Sequence, residues 1–361
     1  MKPFRIGIVG YSFGRVHAEA YRQIPFYKDL GAPIELVGVA TSRPETAARA
    51  KAEGGFAFAT ADWRELVNSP DIDIVHVCAP DDLHHPIASA ALAAGKHVYC
   101  EKPLARTVAE AEDLLARARA SGRVAQMAFQ MRFGSAVQAA RRLVREGTLG
   151  DITSFRITYL HSGYEDPNRP LSWRLDQART GGGVLYDLGS HAIDLIAYLV
   201  GRPQRVMGLT RTFIKERPDA QGSPRRVPVG VDDVAMAMLE TESGAVGVLE
   251  ATRLATGLRR GPDITIYGTR GSVAFNGFTN HNELNLYVKA EKVPGLGGWE
   301  TINTGGRNPV PLSVAAQAHF LEAIRDGRTD VEPSFATGLQ VQRVLAAVQE
   351  SAGSGGWVTV A

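Results

Sequence analysis

The sequence is poor in cysteine and lacks long uninterrupted apolar runs. Cys78 and Cys100 are the two cysteines in 361 residues, too few for a disulfide framework or a four-thiolate metal site. No stretch of about 18 uncharged apolar residues occurs, so we expect no membrane-spanning helix and no membrane partner. The first residues lack the apolar segment and the small-residue cleavage site of a signal peptide. These absences predict a protein of the reducing cytoplasm.

The charges show no excess of one sign that would indicate a polyanionic partner. Lysine plus arginine total 40 and aspartate plus glutamate total 38, which leaves a net charge of +2. This balance lacks the basic footprint of a nucleic-acid-binding protein, so we expect no nucleic acid partner. The length predicts about two domains, at roughly 150 residues each.

The first third of the chain alternates apolar runs with helical segments. This alternation predicts β-α-β units on a parallel sheet that is covered on both faces. We place this α/β domain at residues 1–125. The apolar runs are Phe4 to Val9, Ile34 to Ala40, Ile72 to Cys78, His97 to Cys100 and Val124 to Phe129.

The pattern changes after residue 125, where strand-like runs follow one another with short turns. Such a series predicts an α+β domain, residues 126–361, with a large and mainly antiparallel sheet. We expect one face of this sheet to lack a helical cover. Because an open apolar face usually becomes an interface, we predict a homodimer or homotetramer formed through it. The runs are 154–160, 234–239, 246–251, 264–267 and 284–288.

The first strand leads into a glycine-containing loop, Gly10-Tyr11-Ser12-Phe13-Gly14, and then into a helix. Glycine lets the backbone approach a pyrophosphate, and a helix N-terminus offers free N–H groups and a partial positive charge. The loop departs from G-x-G-x-x-G, because Ser12 replaces the middle glycine and the last gap is one residue short. The sequence therefore predicts a dinucleotide-binding loop, with an ordinary strand-to-helix turn as the alternative.

The end of the second strand carries Thr41-Ser42-Arg43 and no carboxylate. An acidic residue here would bind the adenine ribose hydroxyls and repel a 2′-phosphate. Arg43 could instead bind a 2′-phosphate, and Ser42 or Thr41 could add a hydroxyl. We therefore predict that NADP(H) is preferred over NAD(H). In the alternative interpretation, Ser42 is a helix N-cap and Arg43 is a solvated side chain.

Two further motifs carry ionisable groups. Glu101-Lys102-Pro103 follows a strand, which places Lys102 at the sheet edge where open α/β sheets bind ligands. Asp187, His191 and Asp194 follow a glycine triplet at a spacing of i, i+4 and i+7, so they share one face if the segment is helical. Their apolar neighbours indicate the wall of a site.

With these motifs in this order, the chain resembles the glucose–fructose oxidoreductase/inositol dehydrogenase/rhizopine-catabolism (Gfo/Idh/MocA) family over essentially its whole length. Ala79-Pro80-Asp81-Asp82-Leu83-His84 and Trp173-Arg174 add to the resemblance. The resemblance implies a Rossmann domain followed by an α+β domain and an NAD(P)-dependent dehydrogenase or reductase. The branch acting on inositols and sugar-derived polyols is the most similar, so we expect a sugar or polyol as the small-molecule substrate.

The resemblance also implies roles for individual residues. Lys102 would bind and polarise the reacting hydroxyl, and His191 would exchange its proton as general acid/base. Asp187 would orient His191, and Asp194 would hold a neighbouring substrate hydroxyl. This set suits the chemistry, because an imidazole is suited to proton exchange near neutral pH and an ammonium favours developing alkoxide charge. Since the cofactor supplies the redox chemistry, we expect no metal.

The remaining candidates are assigned with alternatives. We expect Ala79, Pro80, His84 and Glu101 on the cofactor side, although His84 could equally belong to a local helix cap. Trp173 and Tyr164 are candidates for the sugar pocket. Ala79 stands where the family often has threonine. A catalytically silent cofactor-binding sensor on the same scaffold, and a cofactor-dependent glycosidase, are the alternative functions.

Overall fold

The computed structural model describes residues 2–289, 298–306 and 309–361. Within these ranges, no helix combines the length and the apolar character needed to cross a membrane. The described strands, in chain order, are β1 (Phe4–Val9), β2 (Ile34–Ala40), β3 (Phe58–Thr60), β4 (Ile74–Val77), β5 (His97–Cys100), β6 (Ala125–Met127), β7 (Ile152–His161), β8 (Pro203–Arg211), β9 (Glu216–Pro218), β10 (Arg226–Pro228), β11 (Val234–Thr241), β12 (Val246–Thr252), β13 (Arg259–Gly268), β14 (Gly271–Asn276), β15 (Glu283–Val288), β16 (Glu300–Asn303) and β17 (Val358–Thr359).

Helices alternate with the strands in the first third of the chain and become less frequent afterwards. The described α-helices are α1 (Gly14–Tyr27), α2 (Pro44–Gly54), α3 (Trp63–Asn68), α4 (His84–Ala93), α5 (Val108–Ser121), α6 (Ser135–Arg145), α7 (Gln177–Thr180), α8 (Ser190–Leu199), α9 (Leu312–Arg325) and α10 (Phe335–Ser354). A π-helical turn, Leu185–Gly189, leads directly into α8.

The first compact unit comprises residues 1–130 and 310–342. Its described strands form a parallel sheet in the order β3-β2-β1-β4-β5-β6. The order reverses direction at β1 and β4, and open α/β sheets bind ligands at the carboxyl ends of the strands beside such a point. Ile6, Ile8 and Ile74 are fully buried, as expected for a sheet that is covered on both faces. The predicted Rossmann sheet is confirmed, whereas the boundary after residue 125 stays a prediction.

The second compact unit comprises residues 131–309 and 343–361. Nine of its described strands form a mixed sheet in the order β16-β15-β14-β13-β7-β12-β11-β8-β17, and β9 and β10 form a separate antiparallel pair. β7 and β12 are parallel, and the other paired strands described in this sheet are antiparallel. Side chains alternate along β11, where Ala237 and Leu239 are buried while Met236 and Met238 are exposed. This α+β unit, with a mainly antiparallel sheet, confirms the predicted fold class.

Candidate active site

The loop after β1 approaches the neighbouring strand so closely that glycine is required. Gly10 has a φ of +90°, and a Cβ built there would lie 2.4 Å from the carbonyl oxygen of Cys78. A Cβ on Gly14 would lie 2.9 Å from Cγ2 of Ile8. α1 begins at Gly14 without a side-chain cap and without an acidic residue in its first turn. The backbone therefore fits a bound pyrophosphate, whose charge a helix N-terminus favours.

The three residues between these glycines have different surroundings. Tyr11 turns into the core, where its ring meets Phe56 edge-on with a centroid distance of 5.8 Å. Burial is the main cause that raises the pKa of Tyr11. Ser12 and Phe13 are exposed. Ser12 and Phe13 therefore remain the accessible side chains for a cofactor, and Tyr11 has a packing role in addition to its predicted one.

Ser42 and Arg43 are both exposed at the carboxyl end of β2. Arg43, not Ser42, is the N-cap residue of α2, and no side chain caps this helix. The alternative interpretation of Ser42 as a helix N-cap is therefore wrong. Thr41 is engaged locally, because its Oγ1 lies 2.6 Å from Oγ1 of Thr46 and donates a 3.1 Å hydrogen bond to the Arg43 carbonyl oxygen.

His84 links the loops that follow β4 and β5. It is 1% exposed, and its Nδ1 lies 2.7 Å from the Pro103 carbonyl oxygen while its Nε2 lies 2.9 Å from that of Ala79. Burial lowers the pKa of His84, against the raising effect of these two contacts. A neutral imidazole carries one N–H, so a neutral His84 donates a hydrogen bond to only one of these two carbonyl oxygens. The structure thus gives His84 a positioning role between two predicted cofactor-side segments.

Glu101 points back into the first unit while Lys102 is partly exposed. Oε1 of Glu101 lies 2.7 Å from Nε2 of the fully buried His17 on α1. Oε2 of Glu101 accepts a 3.1 Å hydrogen bond from the backbone N–H of Lys102. Glu101 therefore holds the backbone of Lys102 against α1, and the Lys102 side chain lies at the end of this strand, where it is partly exposed.

In the second unit, Asp187 lies in the π-helical turn, whereas His191 and Asp194 lie on α8. π-Helical turns occur often at functional sites. His191 is 6% exposed, and its ring packs 6.2 Å from the ring of Tyr159 on β7, measured between centroids. Asp187 is more exposed than its neighbours. The predicted catalytic pair therefore lies on one buried segment, with the carboxylate of Asp187 nearer solvent.

Asp232 holds the start of this segment. Its Oδ1 accepts a hydrogen bond of 2.8 Å from the Gly183 N–H, and its Oδ2 accepts one of 2.9 Å from the Leu185 N–H. A Cβ on Gly183 would lie 2.1 Å from the Asp232 carbonyl oxygen, which explains why a glycine precedes the turn. Asp232 is 8% exposed, and burial raises its pKa despite these two bonds. The carboxylate satisfies orphan amides at the N-terminal end of the turn.

The carboxylate of Asp194 is paired with Arg132. Arg132 donates from Nε at 3.0 and 2.9 Å and from Nη2 at 2.6 Å, and the Asp194 side chain is 1% exposed. The Arg132 guanidinium also lies 4.6 Å from the ring centroid of Tyr198. The role of Asp194 toward substrate stays a prediction, and any substrate hydroxyl that it binds must share this carboxylate with Arg132.

The two aromatic pocket candidates are both covered by guanidinium groups. Arg174 lies 4.3 Å from the Trp173 ring, and the Tyr164 ring is contacted by Arg169 at 4.1 Å and by Arg253 at 4.9 Å. Arg253 is 3% exposed, and its Nε and Nη1 have no hydrogen-bond partner among the described residues. Tyr164 and Trp173 are therefore flat surfaces beside positive charge, which suits contacts with polar ligands.

Sequence reasoning missed Asp232, Arg132 and Arg253. Asp232 and Asp233 stand directly before strand β11, and two adjacent carboxylates at the start of a strand could have indicated a structural role. Arg132 and Arg253 carry no local signal, because their partners lie 62 residues away at Asp194 and far upstream at Tyr164. Tertiary contacts, not motif spacing, assign these residues.

Comparisons with known proteins cover both units. Residues 4–129 match the model of an oxidoreductase family with an NAD-binding Rossmann fold. Residues 137–274 match the C-terminal domain of the Gfo/Idh/MocA proteins.

Individual relatives are similar over long stretches. Levoglucosan dehydrogenase of Pseudarthrobacter phenanthrenivorans is 38% identical, with 100% of this chain and 99% of the relative aligned. A solved levoglucosan dehydrogenase in complex with NADH and levoglucosan superposes with a TM-score of 0.93 at 37% identity, covering 99% of each chain. Myo-inositol 2-dehydrogenase of Thermotoga maritima is 28% identical, with 74% of each chain aligned.

Proposed function

The chain belongs to the Gfo/Idh/MocA family of NAD-binding oxidoreductases, and from this premise we propose that it transfers hydride between a nicotinamide dinucleotide and a secondary hydroxyl of a cyclic sugar or polyol. The family predicted from the motifs is confirmed. The full-length similarity to a levoglucosan dehydrogenase carries the choice of substrate class, and levoglucosan is the first substrate to test.

The proposed chemistry assigns one task to each ionisable side chain. When bound, the dinucleotide supplies the hydride-accepting ring. Gly10 and the uncapped start of α1 fit its pyrophosphate. The Lys102 ammonium stabilises negative charge that develops on the substrate oxygen. An imidazole nitrogen of His191 takes the hydroxyl proton as the C–H bond breaks, and Asp187 orients that imidazole. Asp194, Trp173 and Tyr164 complete the proposed substrate contacts.

A substrate screen tests this function. Purified protein is incubated with NAD⁺ or NADP⁺ and with levoglucosan, inositols and common aldoses, and NAD(P)H absorbance is followed. We expect reduced cofactor to accumulate with at least one cyclic substrate, and Lys102→Ala and His191→Ala each to lose about 10²- to 10⁴-fold in kcat while still binding cofactor. Cofactor binding without turnover on the whole panel would favour the sensor, and glycoside hydrolysis without net NAD(P)H would favour the glycosidase.

We also propose that the protein prefers NADP(H) over NAD(H). The support is the exposed Arg43 beside Ser42 at the end of β2, with no carboxylate in Thr41-Ser42-Arg43. A guanidinium bound to the 2′-phosphate forms charge-assisted hydrogen bonds that NADH cannot provide. We expect Arg43→Ala to weaken NADPH binding by about tenfold or more and to leave the Kd of NADH nearly unchanged. Tighter binding of NADH than of NADPH by the unmodified protein contradicts the preference.

Self-association is proposed through the exposed face of the large sheet. Leu209, Met236, Met238 and Val248 are each 39% to 45% exposed on three neighbouring strands. A second copy of this face would bury the apolar side chains, as in isologous dimers. We expect a dimer or tetramer by light scattering at micromolar concentration, with dissociation by Met238→Lys. The control, Phe26→Lys, changes an 84% exposed phenylalanine on α1 and should leave the oligomer intact. A monomer of the unmodified protein contradicts this proposal.

We also propose that the protein is located in the cytoplasm. Cys78 and Cys100 are both free thiols in the structure, as is usual for proteins of the reducing cytoplasm. Fractionation of cells that express the protein tests this directly. Recovery in a secreted fraction contradicts it.

A further inference from the structure

Two histidines and a cysteine lie close together in the first unit, beside the loop from Gly10 to Gly14. His17 lies on α1, His76 lies on β4 and Cys78 follows that strand. One nitrogen of each histidine and the Cys78 sulfur all lie within 4.8 Å of one another. A Cβ on Gly14 would lie 3.7 Å from this sulfur, which locates the cluster next to the start of α1. The sequence predicts no metal, because these residues lack the local spacing of common ligand motifs.

The two imidazoles present unpaired nitrogens in a fully buried place. His17 and His76 are both 0% exposed. His17 Nδ1 and His76 Nε2 have no hydrogen-bond partner among the described residues. Buried polar atoms are normally paired, because leaving one unpaired costs about 1–3 kcal/mol. Two such atoms in adjacent rings, 4.3 Å apart between centroids, point to a ligand that both could bind.

The opposite nitrogen of each ring already has a partner. His17 Nε2 lies 2.7 Å from the Glu101 carboxylate, and His76 Nδ1 lies 3.1 Å from the Tyr21 hydroxyl. Metal-binding histidines use their second nitrogen in this way, because a carboxylate or hydroxyl then fixes the ring and the tautomer. In the tautomer with the proton on Nε2 of His17, Nδ1 carries a lone pair that no described residue uses.

Binding of a metal ion at this cluster involves the Cys78 proton. The thiolate is the form of cysteine that ligates metals, so a metal ion that binds Cys78 must displace the thiol proton.

We propose that one imidazole nitrogen of His17, one of His76 and the sulfur of Cys78 form a binding site for a thiophilic divalent metal ion of the Zn²⁺ class. Two imidazoles and one thiolate are ligands that Zn²⁺ accepts. The step balances as M²⁺ plus Cys–SH giving a metal–thiolate bond and one released proton. Bond lengths of about 2.0 to 2.3 Å draw the three ligand atoms together by about 1 Å. Cys78 is partly exposed as a residue, in contrast to the two fully buried histidines.

Cobalt(II) titration of untagged, chelator-treated protein under anaerobic conditions tests the site. A thiolate ligand gives Co²⁺ a near-ultraviolet charge-transfer band that nitrogen and oxygen ligands do not give. We expect this band to saturate at one equivalent and to disappear on addition of Zn²⁺. Absence of the band in the unmodified protein overturns the proposal and shows that the two histidines serve core packing with Tyr99. Because the readout is spectral, it is independent of the proposed dehydrogenase activity.

Matched variants locate the ligands. Cys78→Ser should abolish the charge-transfer band, whereas Cys100→Ser, at the other free cysteine, should retain it. Tyr21→Phe removes the partner of His76 and should weaken Co²⁺ binding by about tenfold. His85→Gln, at a surface histidine paired with Asp113, should have no effect. A band that persists in Cys78→Ser, or that is lost equally in Cys100→Ser, overturns the assignment.

Discussion

The two units hold their functional groups in different ways. In the first unit, Gly10 and Lys102 are fixed by contacts at the carboxyl edge of a parallel sheet, where adjacent strands bring short motifs together. In the second unit, the π-helical turn that carries Asp187 and leads into the helix of His191 depends on Asp232, whose partners lie 47 and 49 residues away. The first arrangement is set by sheet topology, and the second by individual buried polar contacts.

An ion pair in each unit makes the difference measurable. Arg5 and Asp73 meet at 2.7 Å with side chains that are 22% and 31% exposed. Arg132 and Asp194 meet at 2.6 Å with side chains that are 8% and 1% exposed. Water can solvate the remaining charge of the first pair after one partner is lost, but not that of the second, so removing one partner should cost more stability at the second pair.

Replacing Arg132 should give the largest loss of stability. Arg132→Met leaves the Asp194 carboxylate buried without its counter-charge, which costs about 3–5 kcal/mol. Urea unfolding measures this loss. The control is Arg205→Met, which breaks an exposed pair with Glu240 in the same unit and should cost less than about 1 kcal/mol. Equal losses for the two variants would contradict the contrast between buried and exposed pairs.

Removing the carboxylate of Asp232 should have the next largest effect. Asp232→Ala removes the acceptor of two buried amides, at a cost of about 2–3 kcal/mol. It should also lower kcat, because the turn that leads into the helix of His191 loosens. In the first unit, Asp62 accepts a hydrogen bond from the Arg64 N–H at an exposed N-cap, so Asp62→Ala should cost about 1 kcal/mol. Urea unfolding measures the two losses of stability, and steady-state kinetics measures kcat. An unchanged kcat in Asp232→Ala would reject the positioning role of Asp232.

A methyl group on Gly10 should act on the cofactor. Gly10→Ala places a Cβ against the Cys78 carbonyl oxygen at a positive φ, so the loop must shift and the Kd of NAD(P)H should rise by about tenfold or more. Gly55 also has a positive φ, of 59°, but a Cβ there meets nothing within 4 Å. Gly55→Ala should therefore leave the cofactor Kd unchanged. An equal rise of the cofactor Kd in both variants would show that the loop at Gly10 has no special role in cofactor binding.

The exposed pair at the start of β4 should give the smallest effect and a clear pH dependence. The hydrogen bond from Arg5 is the main cause that lowers the pKa of Asp73 from 3.8 to about 2. The pair therefore stabilises the folded state above pH 3.8, and this contribution is lost as the pH falls through 2. Allowing for solvent screening, Asp73→Asn should cost about 1 kcal/mol at neutral pH. A stability difference that stays constant down to pH 2 would exclude this ion pair as its source.

The sequence predicts the first unit better than the second for a physical reason. Apolar runs locate the buried strands, and parallel neighbours then bring their carboxyl ends to one edge, so local motifs could predict that Gly10 and Lys102 lie at this edge. The spacing of Asp187, His191 and Asp194 predicted a common segment, but not the π-helical turn within it. The partners of Arg132 and Asp232 could not be predicted, because no local pattern specifies a partner more than 40 residues away.

The same limit explains two details of the first unit. Ser42 matched the spacing of a helix cap, yet the helix begins one residue later, and Ser42 is exposed. Glu101 was expected on the cofactor side, and its carboxylate is bonded to His17, 84 residues earlier. The assignment of Glu101 to the cofactor therefore stays a prediction beside an observed positioning role.

The central proposal is that Lys102 and His191 act on one carbon–oxygen bond of the substrate. A double-mutant cycle on kcat, with Lys102→Ala, His191→Ala and the combined variant, tests it most directly at saturating cofactor and substrate. Groups that act as a unit are strongly non-additive, so we expect the combined variant to be only slightly slower than the slower single variant. A combined loss equal to the product of the two single losses, or single variants with nearly unchanged kcat, would contradict the claim.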